Sequence, residues 1–509
     1  MNLYASADET RRLLITETSE PTSFDPLDAD AWQNMSVARM RYLTPIEASR
    51  TSGLMSTVLK SYTYDEKKLT MSWELRTGLH FSDGSPITVI DVAFSVVRFA
   101  SAHPDFPVIR ELVGVEKWVK ESKKNKKSPL ESLPEGIRIE NNQIIFKFIN
   151  PVEHPLFRFS LEIFSIIPKS SVDLKTNQLK QPIPPASGYY DITEKTPEMI
   201  TFERRKELKE FRTYAPNRIQ FIYINPDSVA SHLKTLDQHT VISGNEHNYI
   251  PSDISQFAQN SEIRYLQSSW FTAFMLNPRQ KPFQSKGCRV VFANLFRDVF
   301  SRIFSNQLQV EASVFTSILP GYLSYAALKK NTSPLSKAEE KKCLDAIRKS
   351  PITWGVTEGS TPILYQTTMK EMYKELGTKL AEPIHFTSRV EQGKAFAENK
   401  VSIYDGFTGF WPSDPIGDIQ MLFTPNFHLV LKFAASDNKL QILLKELQTS
   451  QKRAKNPFKT VNQHIFESAY FNVYMHVRKF FIARKDDQRL RNIPLAIASV
   501  SPWDLFAAE

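Results

Sequence analysis

The sequence predicts a mixed α/β protein with several lobes, as its length, its composition and the order of its elements indicate. The chain has 509 residues, and a single hydrophobic core stops growing near about 250–300 residues, so we expect at least two folded units. Hydrophobic residues make up 41% of the chain, which is enough for a core in each unit. Strand-like and helix-like segments are mixed without the regular alternation of a barrel, which favours α/β or α+β lobes.

The first half of the chain contains several predicted strands and one well-marked helix start. Strand-like runs lie at residues 11–18, 69–75, 143–148 and 219–224. The run at 69–75 alternates apolar and polar residues, as a half-buried strand does. Thr88 and Asp91 then have the spacing of a capping box, so we expect a helix to begin there.

The second half of the chain reads as strands separated by longer helices. Strand-like runs lie at residues 270–276, 429–433 and 471–482. Helical patterns lie at 289–304, which is strongly apolar, at 337–349, which is charged, and at 367–380, which is amphipathic. No internal repeat is visible.

The chain carries a surplus of positive charge, with 64 Lys and Arg residues against 55 Asp and Glu residues. Such a surplus attracts nucleic acid or anionic lipid only if it clusters on one face. The densest basic run, at residues 117–127, has few aromatic residues to stack on bases, and Ser128-Pro129 ends it like a loop. We therefore expect a solvated surface insertion and no nucleic-acid partner.

The two cysteines, Cys288 and Cys343, exclude a cysteine-rich scaffold or a zinc ribbon. They are compatible with a disulfide in an oxidising compartment and equally with two buried thiols. No segment approaches the roughly 18 uncharged apolar residues of a membrane span. The first ten residues lack the pattern of a signal peptide, so we expect either a cytosolic protein or an exported one whose signal has been removed.

Patterns of catalysis and metal binding are absent from the sequence. We find no Gly-x-Ser-x-Gly elbow, no Walker loop and no Gly-x-Gly-x-x-Gly. The ten histidines include no His-Glu-x-x-His, and no neighbouring cysteine or carboxylate completes a ligand set. Turn and cap roles explain most candidate aspartates, which are Asp25, Asp83, Asp91, Asp405, Asp414 and Asp418. We expect no enzyme, no cofactor and no metal.

An aromatic cluster lies at residues 407–412, where Phe407, Phe410 and Trp411 stand beside a glycine and a proline. Such a segment cannot form the regular core face of a helix. We expect a loop whose rings are exposed unless they meet another lobe or a ligand. Ligand contact and packing between lobes are equally open for this cluster.

The most specific pattern in the chain lies at residues 73–98, WELRTGLHFSDGSPITVIDVAFSVVR. It resembles the signature of family 5 extracytoplasmic solute-binding proteins, which include the oligopeptide-, dipeptide- and nickel-binding proteins of ABC importers. That signature is aromatic-x-Leu-Arg-x-Gly-x-x-Phe-x-Asp-Gly-x-Pro-x-Thr-x-x-Asp-Val-x-Phe-Ser-x-x-Arg, and nearly every fixed position is filled. Its residues form a strand, a turn and a capped helix, so the resemblance identifies the fold rather than the ligand.

Other segments resemble the family in the same order along the chain. They are residues 20–26, 164–169, 187–190, 274–277, 281–283, 289 onward, and Asp414-Pro415 with Phe423. Two positions depart from the usual pattern. Tyr189 stands where proline is usual, and the usual Asp-Arg pair is reversed as Arg297-Asp298.

A third departure concerns the ligand. Peptide-binding members carry an aspartate three residues before the Asp-Pro pair, where it binds the α-ammonium group of the peptide, and Trp411 occupies that position here. An indole offers only stacking or a cation–π contact, worth roughly 0.5–2 kcal/mol. Free-amine peptides are therefore less secure ligands than the resemblance alone implies, unless Asp405 or Asp414 supplies the charge.

The resemblance implies a two-lobed periplasmic-binding-protein-like fold of the large type, with mixed sheets flanked by helices. Lobe I would comprise residues 1–270 and 477–509, with a small inserted subdomain at about 36–169. Lobe II would comprise residues 271–476, and the chain crossings near 270–277 and 471–478 would form a hinge. A ligand that contacts both lobes only when they are closed shifts the equilibrium toward closure.

The resemblance also implies a function, that of the substrate-binding component of an ABC importer, which captures a peptide or peptide-like solute. The expected partners are this ligand and the membrane permease, and we expect a monomer that contacts the membrane only through the permease or a removed lipid anchor. The expected location is periplasmic or extracellular and membrane-associated. The candidate ligand contacts are Ser23, Phe24, Trp270, Phe271, Phe407, Thr408, Phe410, Trp411 and Asp414.

Three alternatives remain open from the sequence. The first is a binding protein for a non-peptide solute such as a sugar, an opine, a metal chelate or a modified cell-wall peptide, which Trp411 favours. The second is a divergent member that acts as a ligand-sensing or interaction module. The third is an enzyme of unrecognised type.

Overall fold

The computed structural model describes most of the chain, and its residues fall into two compact units. The described residues are 12–17, 20–29, 32–49, 53–152, 155–211, 215–223, 240–245, 261–304, 308–317, 319, 321–357, 362–387, 389–409, 419, 422–423, 434, 436–449 and 457–485. Unit 1 comprises Met1–Ile224, His239–Ile242 and Ser499–Glu509, and unit 2 comprises Asn225–Gln238 and Ser243–Ala498. The lobe boundaries given above stay predictions.

Unit 1 contains four strands of an eight-stranded sheet, a separate four-stranded sheet and a two-stranded hairpin. Its strands are β1 (Arg12–Glu17), β2 (Glu47–Ser49), β3 (Gly53–Met55), β4 (Leu59–Asp65), β5 (Thr70–Leu75), β6 (Ile137–Glu140), β7 (Gln143–Lys147), β8 (Tyr190–Lys195), β9 (Met199–Arg204) and β10 (Arg218–Tyr223). β1 pairs in parallel with β10, and β10, β9 and β8 continue antiparallel. β4, β5, β7 and β6 form an antiparallel sheet in that order, while β2 and β3 form a separate hairpin. The four strands predicted in this half are confirmed within one residue at each end.

The helices of unit 1 cover these sheets. The α-helices are Trp32–Arg41, Val89–Ala102, Pro107–Arg110, Val115–Asn125 and Pro155–Arg158, and the 3-10 turns are Pro26–Asp28, Pro129–Glu131, Glu162–Phe164, Lys169–Ser171 and Lys206–Phe211. The predicted helix start is confirmed, because Thr88 and Asp91 form a capping box that satisfies exposed amides of the first turn. Trp73 of β5 is fully buried and packs against Phe146 and Phe159, with ring centroids 4.4 and 4.8 Å away. The signature segment therefore supplies the core of this part of unit 1.

Unit 2 is organised around one long strand. β12 (Ser261–Leu276) lies between β15 (Ile403–Gly409) and β16 (Phe471–Arg484) and pairs antiparallel with both. β13 (Gly355–Thr357) and β14 (Ile384–Phe386) form a short parallel pair, and β11 (Thr240–Asn245) lies where the chain passes from one unit to the other. The helices are Lys286–Phe304, Tyr325–Lys330, Lys337–Lys349, Ile363–Glu375, Arg389–Ala397, Asn438–Thr449 and Pro457–Ser468.

Several predicted elements of unit 2 have different ends in the structure. β12 begins at Ser261 rather than residue 270, because its first half pairs with the far end of β16. The apolar helix begins at Lys286 rather than residue 289. The amphipathic helix predicted at 367–380 is Ile363–Glu375, and Gly377 follows it with a φ of 65°, which favours glycine. The predicted strand at 429–433 lies outside the described residues.

The charged helix Lys337–Lys349 has the predicted bounds, and a disulfide ties it to the apolar helix Lys286–Phe304. Cys288 and Cys343 form this disulfide, and both are buried in the core of unit 2. Of the two alternatives that the sequence leaves open for these cysteines, the structure therefore contains the paired one.

Candidate functional site

The loop that follows β1 is held in place by one buried asparagine. Asn34, on the helix Trp32–Arg41, is 4% exposed, and its Oδ1 accepts hydrogen bonds from the backbone N–H groups of Thr22 (2.9 Å) and Ser23 (3.2 Å). Its Nδ2 donates to the carbonyl of Asp28 (3.0 Å). A single side chain therefore joins both ends of the loop, and a loop fixed in this way loses little further entropy when it binds a ligand.

A buried ion pair fixes the middle of the same loop. Asp25 caps the turn Pro26–Asp28, and its two carboxylate oxygens accept hydrogen bonds from Nη1 and Nη2 of Arg98, each at 2.6 Å. Arg98 is 2% exposed and also donates to the side chain and the carbonyl of Asn177. Asp25 has the kind of cap role that we expect for most of the candidate aspartates, and Arg98, the last residue of the signature, links the signature helix to this loop.

The structure places Ser23 and Phe24 on this anchored loop, and both are half-buried. The hydroxyl oxygen of Ser23 accepts the N–H of Asp25 (3.0 Å), and the carbonyl of Phe24 accepts the hydroxyl of Tyr42 (3.0 Å). Burial raises the pKa of Tyr42 to about 12, so this hydroxyl stays a donor at neutral pH. The backbone of Ser23 and Phe24 is therefore fixed, and the ring of Phe24 remains partly accessible.

Four of the predicted contacts in unit 2 lie where the end of β15 pairs with the middle of β12. The register sets Trp270 opposite Gly409, Phe271 opposite Thr408 and Thr272 opposite Phe407. The loop predicted at 407–412 is therefore strand as far as Gly409, because its backbone completes the ladder to β12. Trp270 is partly buried against the core of unit 2, while Phe271 is fully buried and packs edge-to-face on Phe471, with ring centroids 6.0 Å apart.

Three predicted contacts, Phe410, Trp411 and Asp414, lie outside the described residues. Asp405, which the sequence left as another source of negative charge, lies inside the core of unit 2 and is 1% exposed. Its Oδ1 accepts a hydrogen bond from Nε2 of Gln392 (3.1 Å), which also donates to the carbonyl of Gly355 (3.0 Å). Asp405 therefore has a place in the interior packing of unit 2.

Sequence reasoning missed a second acidic group, which is buried beside β16. Glu311 is 7% exposed, its Oε1 accepts the hydroxyl of Tyr322 (3.0 Å), and its Oε2 has no hydrogen-bond partner within the described part of the chain. Burial raises the pKa of Glu311 to about 7. The ring of His476 lies 6.0 Å from that of Tyr322, and Nε2 of His476 donates to the carbonyl of Ser313 (2.9 Å). Burial lowers the pKa of His476 to about 4.

Both missed groups carry a sequence signal that is recognisable afterwards. Asn34 lies inside a helix, where asparagine is a poor helix former unless its side chain has another task. Glu311 interrupts an otherwise largely apolar stretch at residues 308–315. Neither signal names the partner, because Tyr322 reaches Glu311, and Thr22 and Ser23 reach Asn34, only through the tertiary fold.

The described residues contain neither a cluster of metal ligands nor a membrane-spanning helix. Among these residues, no group of three or more His, Cys, Asp or Glu side chains is placed to hold a metal ion. None of the helices in the described part of the chain is long and apolar enough to cross a membrane.

A family model agrees with the fold. The model of bacterial extracellular solute-binding proteins, family 5 (middle), matches residues 54–425. The chain belongs to this family. As a family 5 member the protein is a solute-binding protein of the kind that serves ABC importers, and its signature at residues 73–98 lies inside the matched range. A search of curated protein sequences finds no significant match.

Solved structures with the same fold cover nearly the whole chain. OppA of Haemophilus influenzae in complex with RPPGFSPFR has a TM-score of 0.70 and 16% identity, covering 94% of this chain and 95% of its own. The dipeptide-binding protein of Pseudoalteromonas in complex with Met-Leu has a TM-score of 0.68 and 14% identity, covering 94% and 96%. NikA of Brucella suis in complex with Fe(III)-EDTA has a TM-score of 0.65 and 13% identity, covering 93% and 95%. The predicted fold class is confirmed.

The two family 5 positions that depart from the usual pattern have structural partners. Tyr189 is 2% exposed, and its hydroxyl donates to Oε1 of the buried Glu47 (2.9 Å). Arg297 is 2% exposed, its Nε donates to the carbonyl of Val473 on β16 (2.9 Å), and its guanidinium lies 5.2 Å from the ring centroid of Phe466. Both departures therefore serve packing within one unit.

Proposed function

We propose that this family 5 protein is the solute-binding component of a bacterial ABC importer and that its ligand is a peptide or a peptide-like solute. The observation that carries the proposal is the family match over residues 54–425. Relatives of the same fold in complex with RPPGFSPFR and with Met-Leu support a peptide ligand. The protein would deliver this solute to a membrane permease and catalyse nothing.

The location that fits this proposal is outside the cytoplasm. The family is an extracellular one, and disulfides persist in oxidising compartments. The disulfide between Cys288 and Cys343 supports this location. We propose that the protein works in the periplasm or at the outer face of the membrane after removal of an export signal, and that it works as a monomer.

The proposed ligand contacts come from both units. In unit 1 they are Ser23 and Phe24, whose loop is fixed by Asn34 and by the pair of Asp25 with Arg98. In unit 2 they are Trp270, Phe407, Thr408, Phe410, Trp411 and Asp414. Phe271 is fully buried, so we propose that it supports the pairing of β12 with the end of β15.

A second candidate function is binding of a non-peptide solute. The observation that favours it is Trp411, which stands where peptide-binding members of the family carry an aspartate. A relative of the same fold in complex with Fe(III)-EDTA shows that the family fold also holds such a chelate. The two candidates differ in the charge of the ligand, because a free-amine peptide brings an ammonium group that the site must neutralise and a non-peptide solute need not.

Calorimetric titration with a panel of di- and oligopeptides tests the proposal, with each peptide used in its free-amine and its N-acetylated form. We expect saturable binding of at least one peptide with one ligand per protein. Because Trp411 brings no negative charge, acetylation should weaken this binding by less than about tenfold, whereas a larger loss would assign the ammonium to the carboxylate of Asp414. Heat from a sugar or chelate panel, with none from any peptide in either form, would replace the peptide proposal with the second candidate.

A further inference from the structure

The basic run of unit 1, which we expect to be a solvated surface insertion, forms a surface helix with exposed lysines. The helix Val115–Asn125 packs through Trp118 and Val119, which are 8% and 7% exposed, and Nε1 of Trp118 donates to the hydroxyl of Ser132 (3.1 Å). The chain turns at Lys126, where φ is 53°, and the N–H of Lys127 donates to the carbonyl of Ser122 (3.1 Å). This closure holds the lysines that follow the helix against its last turn.

The lysines of this segment cover the exposed side and the C-terminal end of the helix. We define the lysine face as Lys117, Lys120, Lys123, Lys124, Lys126 and Lys127. At 100° per residue, Lys117, Lys120 and Lys124 lie within about 60° of one another, on the side opposite the buried Trp118 and Val119. All six lysines are exposed; Lys123 lies further round the helix, and Lys126 and Lys127 follow its last turn. The charge therefore clusters in one patch around the end of the helix, as a basic surface for an anionic partner requires.

The acidic residues nearby neutralise only part of this charge. Glu116 and Glu121 pair with Lys120 and Lys117, the second pair at 3.9 Å. All four of these side chains are more than half exposed, so these pairs are weak and open to exchange. The remaining members of the lysine face have no ion pair with any described residue; they are Lys123, Lys124, Lys126 and Lys127. Exposed acids on the adjoining segment are Glu131 and Glu135, and the latter lies against Gly114 before the helix.

The chemistry of the face distinguishes between anionic partners. Single-stranded nucleic acid is bound by basic grooves with aromatic side chains for stacking, and the aromatic residue here, Trp118, is turned into the core. The face consists of lysines, which act as flexible point charges and do not need the bidentate geometry that arginine provides. A patch of exposed lysines fits a plane of mobile negative charges, such as the surface of an anionic bilayer. A family 5 protein is extracellular, so a bacterial membrane surface is within its reach.

We propose that the lysine face binds the anionic surface of the bacterial membrane and holds the protein close to it. This contact adds to the expected contact with a permease and does not depend on which solute is bound. Unit 1 carries it alone, because all residues of the lysine face belong to that unit.

Sedimentation with lipid vesicles tests this proposal, using vesicles with equal parts of phosphatidylglycerol and phosphatidylcholine, and vesicles of phosphatidylcholine alone. The test variant replaces Lys123, Lys124, Lys126 and Lys127 with glutamine. A matched control loses the same charge elsewhere, through replacement of Lys337, Lys341, Lys342 and Lys349, which are exposed on the helix Lys337–Lys349 of unit 2. A third variant replaces Lys123, Lys124, Lys126 and Lys127 with arginine. Circular dichroism melting checks that each variant is folded.

We expect the wild-type chain to bind the anionic vesicles and not the neutral ones, with binding that weakens as salt is added. The glutamine variant should bind at least about tenfold more weakly, because each lysine near an anionic surface contributes on the order of a fivefold factor. The control should change by less than about threefold, and the arginine variant should bind like the wild type. Equal losses in the test and control variants would assign the binding to net charge and overturn the proposal, as would a wild-type chain that does not prefer anionic vesicles.

Discussion

At the scale of single residues, the positions that depart from the family 5 pattern are the most informative. Tyr189 replaces the usual proline, and its hydroxyl finds an acceptor in the buried Glu47, whose Oε2 also accepts the N–H of Thr57 (3.0 Å). The preceding Gly188 has no room for a side chain, because a Cβ would lie 2.6 Å from the carbonyl carbon of Arg41. The close approach of Gly188 to Arg41 and the hydrogen bond of Tyr189 to Glu47 therefore restrict the backbone where the usual proline would restrict it.

Replacing Tyr189 with phenylalanine tests this account. The change removes the donor and leaves a buried carboxylate with one fewer hydrogen bond, so the free energy of unfolding should fall by about 1.5–3 kcal/mol. Tyr190→Phe is the matched control, because its hydroxyl donates to an uncharged acceptor, the carbonyl of Pro216 (2.7 Å), and its loss should cost about 0.5–1.5 kcal/mol. Chemical denaturation of both variants measures the difference. A smaller loss for the Tyr189 variant than for the control would refute the proposed role of Glu47 as its acceptor.

Trp411 is the residue on which the ligand assignment depends. If its indole stacks on the bound solute, Trp411→Ala should weaken binding by roughly tenfold, and Trp411→Phe, which keeps a ring, should lose less. The melting temperature of the empty protein should be nearly unchanged in both variants. Calorimetry with the solute that binds the wild type measures the effect, and unaltered affinity in the alanine variant would remove Trp411 from the site.

At the scale of elements, two buried ionisable groups lie where the segment after the helix Lys286–Phe304 meets β16. They are Glu311 on that segment and His476 on β16. Glu311 has a pKa of about 7, above its ordinary 4.5, and His476 has a pKa of about 4, below its ordinary 6.5. Stability from Glu311 is present below pH 4.5 and is lost as the pH rises through 7. Stability from His476 is present above pH 6.5 and is lost as the pH falls through 4. Between pH 4.5 and 6.5 the two effects oppose each other.

Removing the carboxylate of Glu311 should therefore leave the pH dependence of stability that His476 produces. We expect Glu311→Gln to be more stable than the wild type at pH 8, on the order of 2 kcal/mol, because no buried charge forms. The variant should also lose stability more steeply than the wild type when the pH falls from 6.5 toward 4, since only His476 then titrates. Calorimetric melting from pH 4 to 8 measures both effects. Glu382→Gln, at an exposed position, is the control and should follow the wild type; a Glu311 variant that does the same would contradict the raised pKa of Glu311.

The elements that the sequence predicts well are those with local signals. The capping box of Thr88 and Asp91 marks its helix start, and the alternation at residues 69–75 marks β5, because neighbours along the chain produce both patterns. The start of β12 at Ser261 and the strand character of Phe407 were missed, since each depends on pairing with a strand far away in sequence. The same limit applies to the site, where Ser23 could be placed on its loop but the anchoring by Asn34 could not.

At the scale of the whole molecule, the disulfide is the long-range link whose effect is easiest to isolate. It joins residues 55 positions apart and connects the helices Lys286–Phe304 and Lys337–Lys349 inside the core of unit 2. In the chain-entropy account, closing a loop of this length stabilises the fold by about 4 kcal/mol through restriction of the unfolded chain. The disulfide also fits a protein that works outside the reducing cytoplasm.

Replacing Cys288 and Cys343 together with serine should therefore lower the free energy of unfolding by about 2–4 kcal/mol. The control is the wild type melted in the presence of a reductant, which should approach the variant, whereas the reductant should leave the variant unchanged. Thermal melting of the four samples measures this. Alkylation of two free thiols in denatured, unreduced wild-type protein would contradict the disulfide itself.

The central claim is that the protein carries a peptide or peptide-like solute, and the solute that it carries in its host tests this most directly. The protein would be purified under native conditions and denatured, and the released small molecules would be identified by mass spectrometry. We predict a peptide or peptide-like molecule in an amount close to one per protein. A protein that reproducibly releases no solute, and that binds none of the peptides in the calorimetric panel, would contradict the account.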